Sequence, residues 1–155
     1  MENKNLLVTL KGKPVTLLGE RVKPGDQAKD FTLVDSGFVT RSLDDYRGKI
    51  KVILVYLSVD TGICAAQNRK FNEMASLLSD DVVVLSVSRD LPYAQSRFCA
   101  AEGLKNVITL SDYKHGDFGL HYGFLIGELR LLARGTVILD KDNVVRYVEY
   151  VTEIE

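Results

Sequence analysis

The chain has no surplus of charge of either sign: 20 lysines and arginines stand against 21 aspartates and glutamates in 155 residues, a formal net charge of -1. Neutralising phosphates takes a clear excess of positive charge, so nucleic acid is excluded as the main partner. Long apolar runs are missing too. The opening MENKNLLVTLKGKPV has neither the apolar core of a signal peptide nor any stretch that could span a bilayer, which predicts a cytoplasmic protein with no membrane partner. Cysteine and histidine are scarce, with two of each. Cys64 and Cys99 stand far apart and pair with neither His115 nor His121 in metal-site spacing, so no structural zinc centre and no metal is expected. In a reducing compartment a structural disulfide is not expected, which leaves each cysteine as a buried small hydrophobe or a working thiol. Internal repeats and low-complexity linkers are absent, and the length suits a single domain, 1–155, burying roughly 70% of the surface its unfolded chain exposes.

What the chain does have is an orderly succession of apolar runs and amphipathic segments. LLVTL (6–10) and PVTLL (14–18), joined by KGK, read as an N-terminal β-hairpin around a glycine turn. The stretch from Ser42 to Tyr46 fits one helical turn. VILVYL (52–57) and VVVLSV (82–87) are continuously apolar and β-branched, as strands buried on both faces are. Between them Phe71, Met74, Ala75 and Leu78 recur at helical spacing, which predicts an amphipathic helix from about Cys64 to Leu78 and a right-handed parallel crossover. A second helix is predicted from Asp90 as N-cap, with Pro92 in its first turn, to Gly103 as a left-handed C-cap; its apolar stripe is Leu91, Ala94, Phe98 and Ala101. VITL (107–110) is a short strand, GDFGLHYGFLI (116–126) is ambiguous, and GTVILD with VVRYVEYV forms a hairpin. Arg146 and Glu149 interrupt its last strand, which suits a sheet edge. The sum is an α/β fold: a mixed central sheet flanked by helices, parallel at its centre and antiparallel at its end.

Cys64 falls where a strand gives way to a helix, seven residues before Phe71 and on nearly the same face. In the first helical turn, unpaired N–H groups and the positive end of the macrodipole favour a thiolate, which lowers the pKa of a cysteine and makes it nucleophilic. Thr61 adds a hydroxyl able to accept from a backbone N–H or donate to the sulfur. The plainer alternative is that Cys64 only packs. Cys99, beside the stripe of the second helix, admits the same two readings, but a second thiol near a reactive one can also capture an oxidised intermediate.

Three motifs in order, SVDTGIC with RKFNE, then DLPYAQSRFCAAEGLKNVITLSD, then ELRLLARGTVILDKDNVVRYVEYV, resemble the thiol peroxidase branch of the peroxiredoxins, the atypical two-cysteine kind. The likeness spans nearly the whole chain, including the N-terminal hairpin (about 6–18) that this branch adds to a thioredoxin-like fold. It implies that Cys64 is the peroxidatic cysteine of a P-x-x-x-T-x-x-C motif, Thr61 its threonine, and Cys99 the resolving cysteine. Arg134 matches the arginine that the family places beside the peroxidatic sulfur; otherwise it is a solvated charge at a strand start. Two features depart from the pattern. Leu57 stands where the motif has proline, which restores an N–H and frees φ. The chain stops at YVTEIE where relatives continue into a C-terminal helix, so either it is a truncated form or a bare apolar face is expected there.

The resemblance implies reduction of hydrogen peroxide and organic hydroperoxides through a Cys64 sulfenic acid and a Cys64–Cys99 disulfide, recycled by a thioredoxin-type reductant, as antioxidant defence. It further implies a homodimer and no cofactor, whether metal, haem or flavin. Because a disulfide needs Cα atoms within about 7 Å, cysteines on separate helices would have to move together, around residues 61–66 and 93–100. Two other functions stay open on the sequence: a cysteine hydrolase pairing Cys64 with His115 or His121, and an inert thioredoxin-like binding module in which Leu57 marks lost activity.

Overall fold

A computed structural model describes residues 6–155; residues 1–5, the start of the N-terminal stretch and of the expected domain, lie outside the described residues. The elements run β1 (Val8–Leu10), β2 (Lys13–Val15), β3 (Leu17–Leu18), β4 (Leu33–Asp35), β5 (Thr40–Arg41), a 3-10 turn (Leu43–Tyr46), β6 (Ile50–Val55) and α1 (Gly62–Ala75). There follow β7 (Val82–Ser88), α2 (Pro92–Glu102), β8 (Ile108–Ser111), α3 (Asp117–Tyr122), β9 (Leu125–Ile126), β10 (Leu131–Leu132), β11 (Gly135–Leu139) and β12 (Val145–Tyr150).

A seven-stranded sheet in the order β12-β11-β6-β7-β8-β4-β5 carries the fold. The two apolar, β-branched runs are its centre: β6 pairs with β7, and β7 with β8, in parallel. Ile53, Leu54, Val55, Leu85 and Val87 are fully buried, as residues covered on both faces must be. The flanking pairs β11–β6, β11–β12, β4–β8 and β4–β5 are antiparallel, and β12 is an edge, as its interrupted pattern predicts. The N-terminal hairpin forms from β1 and β2 but is shorter than expected. Leu17 and Leu18 leave it after Thr16 to pair with Leu125 and Ile126, so β3, β9 and β10 make a small separate sheet. The ambiguous segment 116–126 is thus part helix, part strand, with Gly116 and Gly123 at φ 72° and 74° bounding α3.

Two right-handed crossovers stepping in the same direction put α1 and α2 on one face of the sheet. The helices touch through an Arg69–Glu102 ion pair, and the loop after α2 adds an Asn106 N–H donated to Asn72 Oδ1 at 2.7 Å. The face α1 buries is only in part the predicted one. Cys64 and Asn68 are fully covered and Phe71 and Ala75 pack against the core, whereas Met74 and Leu78 are about half exposed. The helix ends at Ala75, which leaves Leu78 beyond it, and Met74 lies about 100° round from Ala75. In α2, Pro92 and Gly103 sit as expected, the latter left-handed at φ 69°, but the N-cap is Leu91 and Asp90 does not cap. The buried line is Pro92, Gln95 and Phe98, while Leu91 and Ala101 are exposed, because the Gln95 amide is drawn inward to the Ser88 hydroxyl and the Leu110 carbonyl.

The last residues are tied down. Thr9 N–H donates to Thr152 O at 2.7 Å, Ile154 N–H to Thr9 O at 2.8 Å, and Lys11 N–H to Glu155 O at 2.8 Å, and Ile154 is fully buried. Where β11 passes between β6 and β12, only glycine fits at 135: a Cβ there would lie 2.2 Å from Glu149 O and 2.6 Å from Phe124 Cε1. Gly135→Ala is therefore expected to lower the unfolding free energy by roughly 1–3 kcal/mol, the cost of overpacking. Urea titration would register this as a lower midpoint at unchanged slope, and an unchanged midpoint would contradict it.

Candidate active site

After Val55 the chain leaves β6 through Tyr56 and Leu57, both buried, and reaches α1 by way of the exposed turn at Asp60. Thr61 is the N-cap, extended at φ −104°, and its hydroxyl donates to Ser58 O at 2.9 Å instead of capping the helix. Cys64 is the third residue of α1, has no exposed surface, and shares its first turn with no acidic residue. The unpaired amide groups of that turn form the positive end of the helix, and no carboxylate of its first turn opposes them. Asn68 donates to the Cys64 carbonyl at 3.0 Å and accepts from Ser86 Oγ at 2.6 Å, which moors this turn to β7.

Cys99 lies in the later turns of α2, partly buried, at a cleft of about 370 Å³ lined by Ser36, Ser96, Leu104, Val107 and Thr109. Burial pushes its thiol up from the ordinary value, and the Thr109 hydroxyl counters this only in part. Cys99 is thus kept as a neutral thiol at neutral pH. Tyr56, buried under both helices, has its hydroxyl near Ser86 and Ser88 without hydrogen-bond geometry; burial raises it to about 12, so it stays neutral.

Arg134 precedes Gly135, which pairs with Val55, so its backbone stands at the end of β6 where the chain departs for Cys64. Its guanidinium donates to Ile154 O at 3.3 Å and Glu153 O at 3.2 Å; among the described residues it makes no hydrogen bond to a cysteine. The structure thus brings Thr61 and Cys64 onto one helix start, puts Cys99 on the neighbouring helix, and ties Arg134 to the tail. His121 Nδ1 lies 2.7 Å from the Asp30 carbonyl and His115 is exposed in the turn before α3, so neither histidine is hydrogen-bonded to Cys64 as a hydrolase would need. The sequence reading missed Asn68, whose polar side chain hid it from an apolar periodicity, and the environment of Asp90, whose carboxylate accepts from Ser58 and Val59 in the loop before α1.

Comparison with known proteins places these features in context. The family model described as Redoxin matches residues 23–155. A thiol peroxidase of Staphylococcus saprophyticus is 53% identical over 146 residues, 94% of this chain and 88% of that protein. A thiol peroxidase of Oceanobacillus iheyensis is 49% identical over 147 residues, 95% of this chain and 89% of that protein. Among solved structures, a peroxiredoxin-like protein from Aquifex aeolicus superposes with a TM-score of 0.89 at 39% identity, covering 96% of this chain and 87% of that one.

The raised Cys99 thiol has a direct readout. In a Cys64→Ser variant, the rate of iodoacetamide alkylation should climb with pH to a midpoint above 9.0, the ordinary thiol value here, because only the thiolate reacts. A midpoint at or below that value would show that burial does not govern this sulfur.

Proposed function

This chain belongs to the Redoxin family, a thiol peroxidase of the peroxiredoxin kind, and on that premise we propose how its residues divide the chemistry. The Cys64 thiolate attacks one oxygen of the peroxide; the S–O bond forms as the O–O bond breaks. The other oxygen leaves as hydroxide or alkoxide and takes up a proton, and Cys64 becomes a sulfenic acid. The helix amides, Thr61 and Arg134 stabilise charge on the sulfur and on the departing oxygen. The Cys99 thiol then displaces water from the sulfenic acid and forms the Cys64–Cys99 disulfide. A thioredoxin-type dithiol reopens it by exchange and is itself oxidised. The cycle balances without a metal, haem or flavin.

One observation carries this reading: a buried cysteine in the first turn of α1 has a second thiol on the adjacent helix of the same sheet face. The two cysteines sit on separate helices, and a disulfide requires Cα atoms within ~7 Å. The proposed cycle therefore includes a loosening of residues 61–66 and 93–100 before the bond closes. The inert-module reading finds no support, since the thiol peroxidases above match this chain at about half identity. Leu57, with 6% of its surface exposed, fills the motif proline's place as a buried apolar residue. The proposal extends to a cytoplasmic homodimer, which light scattering after gel filtration would test.

One equivalent of H₂O₂ added to the reduced protein should remove two protons' mass, and peptide mapping should trace the loss to a Cys64–Cys99 link. Cys64→Ser should abolish turnover, and Cys99→Ser should consume peroxide once and stop. Sustained turnover by Cys64→Ser would refute the assignment.

A further inference from the structure

The cycle leaves one carboxylate at the site unused. Asp90 lies between β7 and α2, where its Oδ1 accepts from Ser58 Oγ at 2.9 Å, and its Oδ2 from Val59 N–H at 2.9 Å and from Ser88 Oγ at 2.7 Å. Ser58 passes the tether on: its hydroxyl accepts from Asp60 N–H at 3.1 Å and its carbonyl takes the Thr61 hydroxyl. At the other end, Gln95 of α2 donates to Ser88 Oγ at 3.1 Å, and the Ser111 hydroxyl of β8 donates to the Asp90 carbonyl. Among the described residues, the hydrogen bonds that hold residues 58–60 to the rest of the molecule all end on Asp90. Through Asp90 and the Ser88 hydroxyl, the loop that delivers Thr61 and Cys64 is joined to the helix that bears Cys99.

We propose that Asp90 is a positioning residue, a latch that holds the 58–61 loop closed over Cys64 during attack on peroxide and whose release sets how readily Cys64 swings out to Cys99. The proposal rests on the peroxidase cycle above. A carboxylate accepting three bonds holds more firmly than a neutral acceptor would, yet bonds at a loop can break without undoing the core. Weakening the latch should push the two steps in opposite directions. Attack slows as Thr61 and the helix start lose their fixed place, while disulfide closure keeps its rate or gains.

Asp90→Ala, Asp90→Asn and Ser58→Ala separate these effects. Hydrogen exchange of amides 58–66 in the reduced Asp90→Ala protein should quicken by at least about tenfold, the change expected for losing even one of the three charge-assisted bonds. Rapid-quench alkylation and mass analysis should show Cys64 oxidation by H₂O₂ slowed by about tenfold, with conversion of sulfenic acid to disulfide unchanged or faster. Asp90→Asn, which keeps one acceptor oxygen, should fall between wild type and Asp90→Ala. The latch is overturned if exchange at 58–66 is unaltered in all three variants. It is equally overturned if both steps slow by the same factor with Asn no better than Ala, as a merely structural loss would give. Should Asp90→Ala fail to fold, Ser58→Ala and Asp90→Asn carry the same comparison. A wild-type protein that forms no Cys64–Cys99 link would refute the cycle, whereas the exchange data on reduced protein decide the latch independently.

Discussion

Right-handed crossover is the constraint from which the site follows. β6, β7 and β8 lie side by side and parallel, and each connection must return over the same face of the sheet. Both cysteine-bearing helices consequently start at one edge of the sheet and run alongside one another. Register does the rest. Val55 pairs with Val87, and Ser58 and Asp90 follow these two residues by the same number of positions, so the loops before α1 and α2 meet where a carboxylate and a hydroxyl can bond. Gly135 pairs with Val55 on the other side, which brings Arg134 to the same edge.

For the proposed cycle, full burial of Cys64 sets a problem. A thiolate without water is costly unless fixed dipoles or charges replace the solvent, and burial alone would drive the sulfur toward its neutral form. The start of α1 supplies N–H groups, with no acidic residue in its first turn to oppose them. In the proposed cycle the positive charge comes from Arg134, whose guanidinium is held by the Glu153 and Ile154 carbonyls, and those residues are held in turn by pairing with β1. Cys99 meets the opposite conditions: partial burial keeps it protonated.

Much of this was legible in the sequence, and the misses share a cause. The central strands were readable because unbroken β-branched apolar runs fit few other places. Pro92 and Gly103 marked α2 because ring closure and left-handed φ restrict those positions to few residue types. The burial of α1 was misjudged because its inward line holds Asn68, satisfied by Ser86 and by the Cys64 carbonyl, and apolar periodicity does not register a polar residue that finds its partners. Asp90 was misread for the same reason: an acidic residue before a helix suggests a cap, while two of its three partners lie some thirty positions away. The split of PVTLL at Thr16 depended on β9, a strand that short sequence patterns do not reveal.

The polar character of these anchors bears on how the site works. A helix docked by large apolar side chains would cost roughly 2–5 kcal/mol for each one withdrawn, too much for a segment that opens in the proposed cycle. Hydrogen bonds contribute only about 0.5–1.5 kcal/mol net apiece, because water replaces them on opening. The first turn of α1 is held largely by such bonds: Asn68 to Ser86, Thr61 to Ser58, and Ser58 and Val59 to Asp90. Asn68 also bonds back to the carbonyl one turn earlier, an interaction that competes with regular helix geometry. At the far end Met74 is about half exposed, and the apolar docking of α1 is confined to Phe71 and Ala75 there. The sheet beneath, with its fully buried β6 and β7, is the rigid part. Closed geometry for attack and mobility for disulfide closure can coexist in α1 because its specificity of position comes from polar contacts and its stability from the strands below.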